Sequence, residues 1–358
     1  MFARKLRIPI MSAILPVITS ENMSSMSTYD DTSSNSMNKG RKMLTKILNH
    51  CHKISPTIGS FNVSAVYNER KDSLSKATYE SFGGYCREKS ETRAKNRFYG
   101  KTIIVTGGAG NFGQTCAERM ASEGANVVIF DIADGSKVAK DIKKKYGVKA
   151  VFMKVNITDN DAVVEAVKTV VAKFDRIDYL FNNAGYQGDF TKLHLYSNKD
   201  YSRVIDINVK GTFNVLKAVS EAMIKQSPQG GSIVQTASMA AHSAPANMCA
   251  YAASKAAVHH MTRQAAKDLA PYNIRVNSVS PAFIGPGFMW TRQIELQANA
   301  DSVFYDKDPK IVAQQMINAT PMKRYGSIDE VIGPVTFLLS DDASYLTGID
   351  IQITGGMN

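Results

Sequence analysis

The chain has 358 residues, 44 % of them hydrophobic and 21 % charged, which is room for one large domain or two small ones in a water-exposed globular protein. Its formal charge of +11 would suit nucleic acid or an anionic membrane, but the distribution argues against both. Residues 1–97 carry 16 Lys and Arg against 8 Asp and Glu, which leaves a nearly balanced 27 against 24 for residues 98–358. No nucleic-acid partner is expected, and no stretch reaches the roughly 20 apolar residues of a membrane helix.

The N-terminus opens with Arg4, Lys5 and Arg7, followed by a short apolar run from Ile8 to Ile18 that Pro9 and Pro16 break. The first acid is Glu21, residues 20–37 are rich in Ser, Thr, Met and Asn, and a second basic stretch runs from Lys39 to Lys53. A basic, acid-poor, Ser-rich start suits a mitochondrial presequence; the alternative is a cytoplasmic protein whose extension carries no address. No sustained period of two or of 3.6 appears before Phe98, so residues 1–97 are expected to form a largely disordered extension and linker. The four cysteines, Cys51, Cys86, Cys116 and Cys249, form no CxxC pair, so neither a disulfide framework nor a bound metal is expected.

From Phe98 onward short apolar runs alternate with helical patterns. Strands are expected at 101–106, 125–130, 150–155, 179–181, 232–236, 275–279 and 349–353, with a first helix over 112–123. Strands separated by helices give a parallel sheet with helices on both faces. Right-handed crossovers then yield an α/β, doubly wound domain over residues 98–358.

The first expected strand runs into Thr106-Gly107-Gly108-Ala109-Gly110-Asn111-Phe112-Gly113. A tight turn, a close backbone approach to a pyrophosphate and a helix starting against the sheet all favour residues without a Cβ, and the helix N-terminus offers free N–H groups to phosphate. Asp131 follows the second strand, where a carboxylate can accept hydrogen bonds from an adenosine ribose and repel a 2′-phosphate. NAD is therefore expected rather than NADP.

Together with Asn182-Asn183-Ala184-Gly185, Asn208, Ser238 and Tyr251-x-x-x-Lys255, this Gly-rich turn resembles the short-chain dehydrogenase/reductase family, over residues 98–358. The resemblance implies a Rossmann fold, a homotetramer, and a catalytic set of Asn208, Ser238, Tyr251 and Lys255. It implies a cofactor site from Thr106, Gly107, Gly110, Asn111, Phe112, Gly113, Asp131, Asn156, Ile157, Asn183, Ala184, Gly185, Tyr251, Lys255 and Pro281. Asn208 is expected to order a water that relays protons to Lys255. Two positions depart from the family pattern. Asn111 replaces its middle glycine, where Asn tolerates unusual backbone angles, and Asn156 stands where Asp is frequent.

Residue chemistry agrees with that set. Tyr251 and Lys255 share a helical face, and a nearby ammonium favours phenolate, which would bring a Tyr pKa down from its usual value near 10. Tyr251 then acts as acid/base, and Ser238 holds the substrate oxygen.

Longer strings, Phe181-Asn-Asn-Ala-Gly-Tyr-Gln-Gly188 and Gly285-Pro-Gly-Phe-Met-Trp290 among them, resemble the bacterial NAD-dependent xylitol dehydrogenases within this family. They imply a polyol and its ketose as the small-molecule partners. Gln187, Ser238, Asn247 and Trp290 are the expected substrate residues, with Phe283, Phe288 and Met289 walling the site. The same chemistry also fits a 3-oxoacyl-carrier-protein reductase, or a regulator on the same fold that has lost catalysis.

Overall fold

A computed structural model describes residues 96–357. The expected disorder and targeting role of the N-terminus, and Cys51 and Cys86, lie outside the described residues.

Seven strands form one parallel sheet in the order β3-β2-β1-β4-β5-β6-β7. They are β1 Thr102–Thr106, β2 Asn126–Asp131, β3 Ala150–Lys154, β4 Tyr179–Asn182, β5 Gly231–Thr236, β6 Ile274–Pro281 and β7 Asp350–Ile353. The order reverses between β1 and β4, and a doubly wound sheet opens a crevice at such a switch point. This is the Rossmann architecture that the alternating pattern predicted.

Alternation along the strands supplies both faces of the core. Ile103 and Val105 of β1 point to one side, where α1 (Asn111–Ser122), α2 (Ser136–Tyr146) and α10 (Ile328–Leu339) contribute Met120, Ile142 and Leu338. Ile104 points to the other, against Val167 of α3 (Asn160–Phe174), Val215 of α5 (Thr212–Lys225) and Ala266 of α7 (Cys249–Leu269). Between β4 and α5 runs α4 (Asn198–Ile205), then six residues of wider π geometry, Asp206–Gly211. A short helix α6 (Ala240–Ser243) follows β5. After β6 come α8 (Phe288–Asn299) and α9 (Pro309–Ala319), which pack on each other around Trp290, Ala298, Val312 and Met316.

The domain's packing starts slightly before the expected boundary at 98. Phe98 is fully buried, and Arg97 pairs with Glu123 at 2.7 Å and lies over the Phe98 ring.

Candidate functional site

A cavity of about 560 Å³ opens over the C-terminal edge of the sheet. Its floor comes from the sheet's own strand ends. β1 runs out at Thr106, whose side-chain oxygen accepts the backbone N–H groups of Asn183 (2.9 Å) and Ala184 (3.0 Å) and donates to Asn182 Oδ1 (3.2 Å). One hydroxyl thereby joins the Gly-rich turn to the loop after β4. Asn183 is held again through Thr236 Oγ1, which donates to its Oδ1 at 3.2 Å.

The glycines are placed as a dinucleotide requires. Gly107 has φ +66°, and a Cβ there would stand 3.1 Å from Ala184 Cα; a Cβ on Gly113 would lie 2.2 Å from Gly107 O. Gly110 caps α1 without any side-chain hydrogen bond, so the first N–H groups of that helix face a ligand unmasked. Gly107, Gly110, Asn111 and Phe112 line the cavity, as do Asp131, Asn156, Ile157, Asn183, Ala184, Gly185 and Pro281. Asn111 is the first residue of α1 and is not among the positive-φ residues, so the tolerance of Asn for unusual angles is not needed. Its side chain instead meets the loop after β6, where a Cβ on Gly287 would come within 2.5 Å of Asn111 Nδ2.

Asp131 Oδ2 accepts the Ala109 N–H at 3.0 Å and Oδ1 the Ala133 N–H at 2.9 Å. Each oxygen keeps one lone-pair direction for a ribose hydroxyl. Asn156 Oδ1 is occupied by Thr158, while Ile157 is anchored in the core. These residues fit a dinucleotide: the glycines leave the space, the helix end leaves the donors, and Asp131 leaves the acceptors.

The expected acid/base residues share this cavity. Tyr251 and Lys255 rise from α7, and Ser238 follows β5; all three line the cavity. Burial pushes the Tyr251 phenol above its ordinary pKa, and the hydrogen bond with Ser238 only partly opposes it. Burial also draws the Lys255 ammonium down to about 8. Its Nζ donates to Thr236 O at 2.7 Å and stands 5.8 Å from the Tyr251 ring centroid. In this structure desolvation of the phenol outweighs the lowering expected from Lys255.

Asn208 is fully buried in the π segment. Its Oδ1 accepts Tyr186 N at 2.7 Å, and its Nδ2 donates to Tyr186 O (2.8 Å) and Ser254 Oγ (2.9 Å). Its side chain thus fixes the chain beyond Gly185, and both amide protons are committed to protein partners rather than to a water.

On the substrate side the expectations divide. Gln187 is 4 % exposed and lines the cavity. Its Oε1 is, among the described residues, the one buried side-chain oxygen or nitrogen with no hydrogen-bond partner. Trp290 lines the cavity and packs edge-on to Phe283 at 6.0 Å and against Tyr325 at 5.4 Å. Met289 and Phe283 also line it, but Phe288, beginning α8, is 71 % exposed and forms no part of the wall. Asn247 is corrected as well. It is absent from the wall, and its Nδ2 donates to Gln297 Oε1 at 3.2 Å. Gln297 is the residue that reaches the cavity, on the inner face of α8. Sequence reasoning missed Gln297, Gln293 and Tyr186, which line the cavity. Only Tyr186 carried a signal, its place directly after Gly185.

Comparison with known proteins agrees with this geometry. The family model described as Enoyl-(Acyl carrier protein) reductase matches residues 107–358. The 3-oxoacyl-acyl-carrier-protein reductase FabG of Thermotoga maritima is 36 % identical over 73 % of this chain and 99 % of its own length. The levodione reductase of Leifsonia aquatica is 33 % identical over 73 % and 96 %. A crystal structure of NAD+-bound xylitol dehydrogenase is 49 % identical, with a TM-score of 0.70 over 72 % of this chain and 99 % of that one. Turn, tyrosine, lysine and likeness meet in one conclusion: the chain belongs to the short-chain dehydrogenase/reductase family, oxidoreductases that use a nicotinamide cofactor.

Proposed function

We propose that the protein is an NAD-dependent dehydrogenase of hydroxyl-rich small molecules, oxidising a sugar alcohol of the xylitol class to a ketose and catalysing the reverse reduction. The observation that carries this reading is Gln187. Its side chain lines the cavity and its Oε1 has no partner. A buried acceptor without a partner costs about 1–3 kcal/mol, and a turn of the amide toward a substrate hydroxyl would remove that cost, which favours a hydroxyl-bearing ligand. The 49 % identity to a xylitol dehydrogenase supports the same substrate class. NAD is favoured because a 2′-phosphate brought against the Asp131 carboxylate would be repelled.

When bound, the nicotinamide ring supplies the hydride acceptor or donor. The chain's own residues manage the proton. In oxidation Tyr251 takes the proton of the reacting hydroxyl; in reduction it returns one to the carbonyl oxygen. Ser238 donates to the substrate oxygen as its negative charge develops. Lys255 holds its ammonium beneath the site through Thr236 O, where it can bind a ribose hydroxyl. Asn208 fixes the Tyr186 backbone and thereby presents Gln187.

A second reading has its own support. The family model's description and the FabG relatives point to reduction of an acyl thioester. A panel of xylitol, other pentitols, hexitols, their ketoses and a 3-oxoacyl thioester, each with NAD and NADP, separates the two. The polyol reading expects xylitol-class turnover with NAD favoured by about tenfold or more, equal to ~1.4 kcal/mol. Turnover confined to the thioester with NADP would replace it. The active unit is proposed to be a homotetramer, which light scattering reads directly.

A further inference from the structure

Outside the cavity wall, three ligand-type side chains converge from separate elements. His242 sits in the last turn of α6, His259 on α7 one turn beyond Lys255, and Asp350 opens β7. Their ligand atoms all lie within 4.8 Å of one another. The two imidazoles face each other with ring centroids 4.7 Å apart, and His242 Nε2 is 3.1 Å from Asp350 Oδ2. The Asp350 side chain is only 7 % exposed. Its far oxygen, Oδ1, accepts hydroxyl hydrogen bonds from Ser278 (2.6 Å) and Ser280 (3.0 Å). Those two serines turn the carboxylate so that Oδ2 faces the histidines, the arrangement by which outer partners orient a ligating carboxylate.

We propose that His242, His259 and Asp350 form a structural site for a divalent transition-metal ion of the zinc type, a site that sequence spacing alone did not reveal. Two imidazoles and one carboxylate are a zinc-class donor set, whereas calcium or magnesium would demand more oxygens. Metal–ligand bonds of about 2.1 Å place tetrahedral ligands about 3.4 Å apart, so donor atoms spread over up to 4.8 Å close in by small side-chain rotations, and water completes the fourth position. The ion would tie α6, α7 and β7 together. His242 lies four residues past Ser238 and His259 four past Lys255, so the clip stiffens the two elements that carry the acid/base set.

The test uses the full-length protein, its tag removed, stripped with EDTA and titrated with ZnCl2 by calorimetry. Cobalt(II) absorption gives an independent reading of coordination. Comparison with His259→Gln isolates this site from any other metal-binding group in the chain. The wild type should bind one more equivalent than His259→Gln, and at a hundredfold excess over Kd should gain about 5 °C or more in Tm that the variant lacks. Ser278→Ala should keep the stoichiometry and weaken binding by about tenfold. Stripped His259→Gln should bind NAD as stripped wild type does, which shows that it folds. Equal stoichiometry and equal Tm response in wild type and His259→Gln would overturn the site, whatever the substrate proves to be.

Discussion

Burial shifts the titration of both Tyr251 and Lys255, and each yields a test. Tyr251→Phe removes one oxygen and keeps the ring packed against Phe190 and Met248. Turnover should fall by ~10²–10⁴ while NAD affinity stays near wild type, read by steady-state kinetics beside equilibrium titration. Because burial holds the phenol above its ordinary pKa, the base form grows with each pH unit. Polyol oxidation in the wild type should therefore keep rising through pH 9 without a plateau. A plateau near neutrality would show that a neighbouring charge outweighs desolvation once the site is filled. For Lys255 the consequence is in stability. Its pKa of about 8 against an ordinary 10.5 means that folding disfavours the charged lysine against the neutral one by about 3 kcal/mol. Lys255→Met should raise stability at pH 7 while cutting activity at least a hundredfold. Below pH 8 the lysine is charged in both states and its penalty is full; between 8 and 10.5 the folded chain releases its proton first and the penalty fades. Urea melts of both proteins should show wild-type stability rising over that interval and the variant's not.

At the scale of elements, the sequence carried the sheet well because each strand is a short apolar run whose alternate residues face two different helix layers. Ile103 and Ile104 in β1 show it, one in each half of the core. Boundaries shifted by a residue or two, as with β6, which runs on to Pro281 because β7 pairs with its end. The cofactor turn was legible for a similar reason: its glycines answer local steric demands. Gly113 tests that account, since a Cβ there meets the backbone of Gly107 at 2.2 Å. Gly113→Ala should destabilise the domain by about 2 kcal/mol and weaken NAD binding at least tenfold, although alanine is the better helix former. Unchanged melting and affinity would show that the turn yields more easily than its packing implies. What the sequence concealed depends on pairings between distant elements. Asn247 reads as a substrate residue until Gln297, fifty positions away, takes its amide. The π segment that aims Asn208 lies inside an unbroken helical pattern, and His242, His259 and Asp350 share no motif.

At the scale of the molecule, the sheet and the cavity of the described residues are built from 96–357 alone. A chain lacking residues 1–95 should fold and keep its activity. Removing residues 96 and 97 as well takes away Arg97, whose partner Glu123 is then left to Arg119 alone. That shorter protein should be less stable by about 1 kcal/mol, a drop of about 2–4 °C in Tm, with unchanged turnover. An inactive 96–358 protein would make the N-terminal segment part of the catalytic unit. We propose mitochondrial import for the basic segment, and imaging of a C-terminally tagged full-length protein tests it; tag found only in the cytosol would remove that address.

Trp290 is the chain's single tryptophan, and it stands in the wall of the cavity between Phe283 and Tyr325. All indole emission from this protein therefore originates beside the reacting centre. Reduced nicotinamide absorbs where indole emits, so binding should quench that emission and transfer it to the dinucleotide's own fluorescence. The enzyme carries a built-in optical probe, able to follow cofactor entry, substrate capture and product departure in unlabelled protein on the stopped-flow timescale.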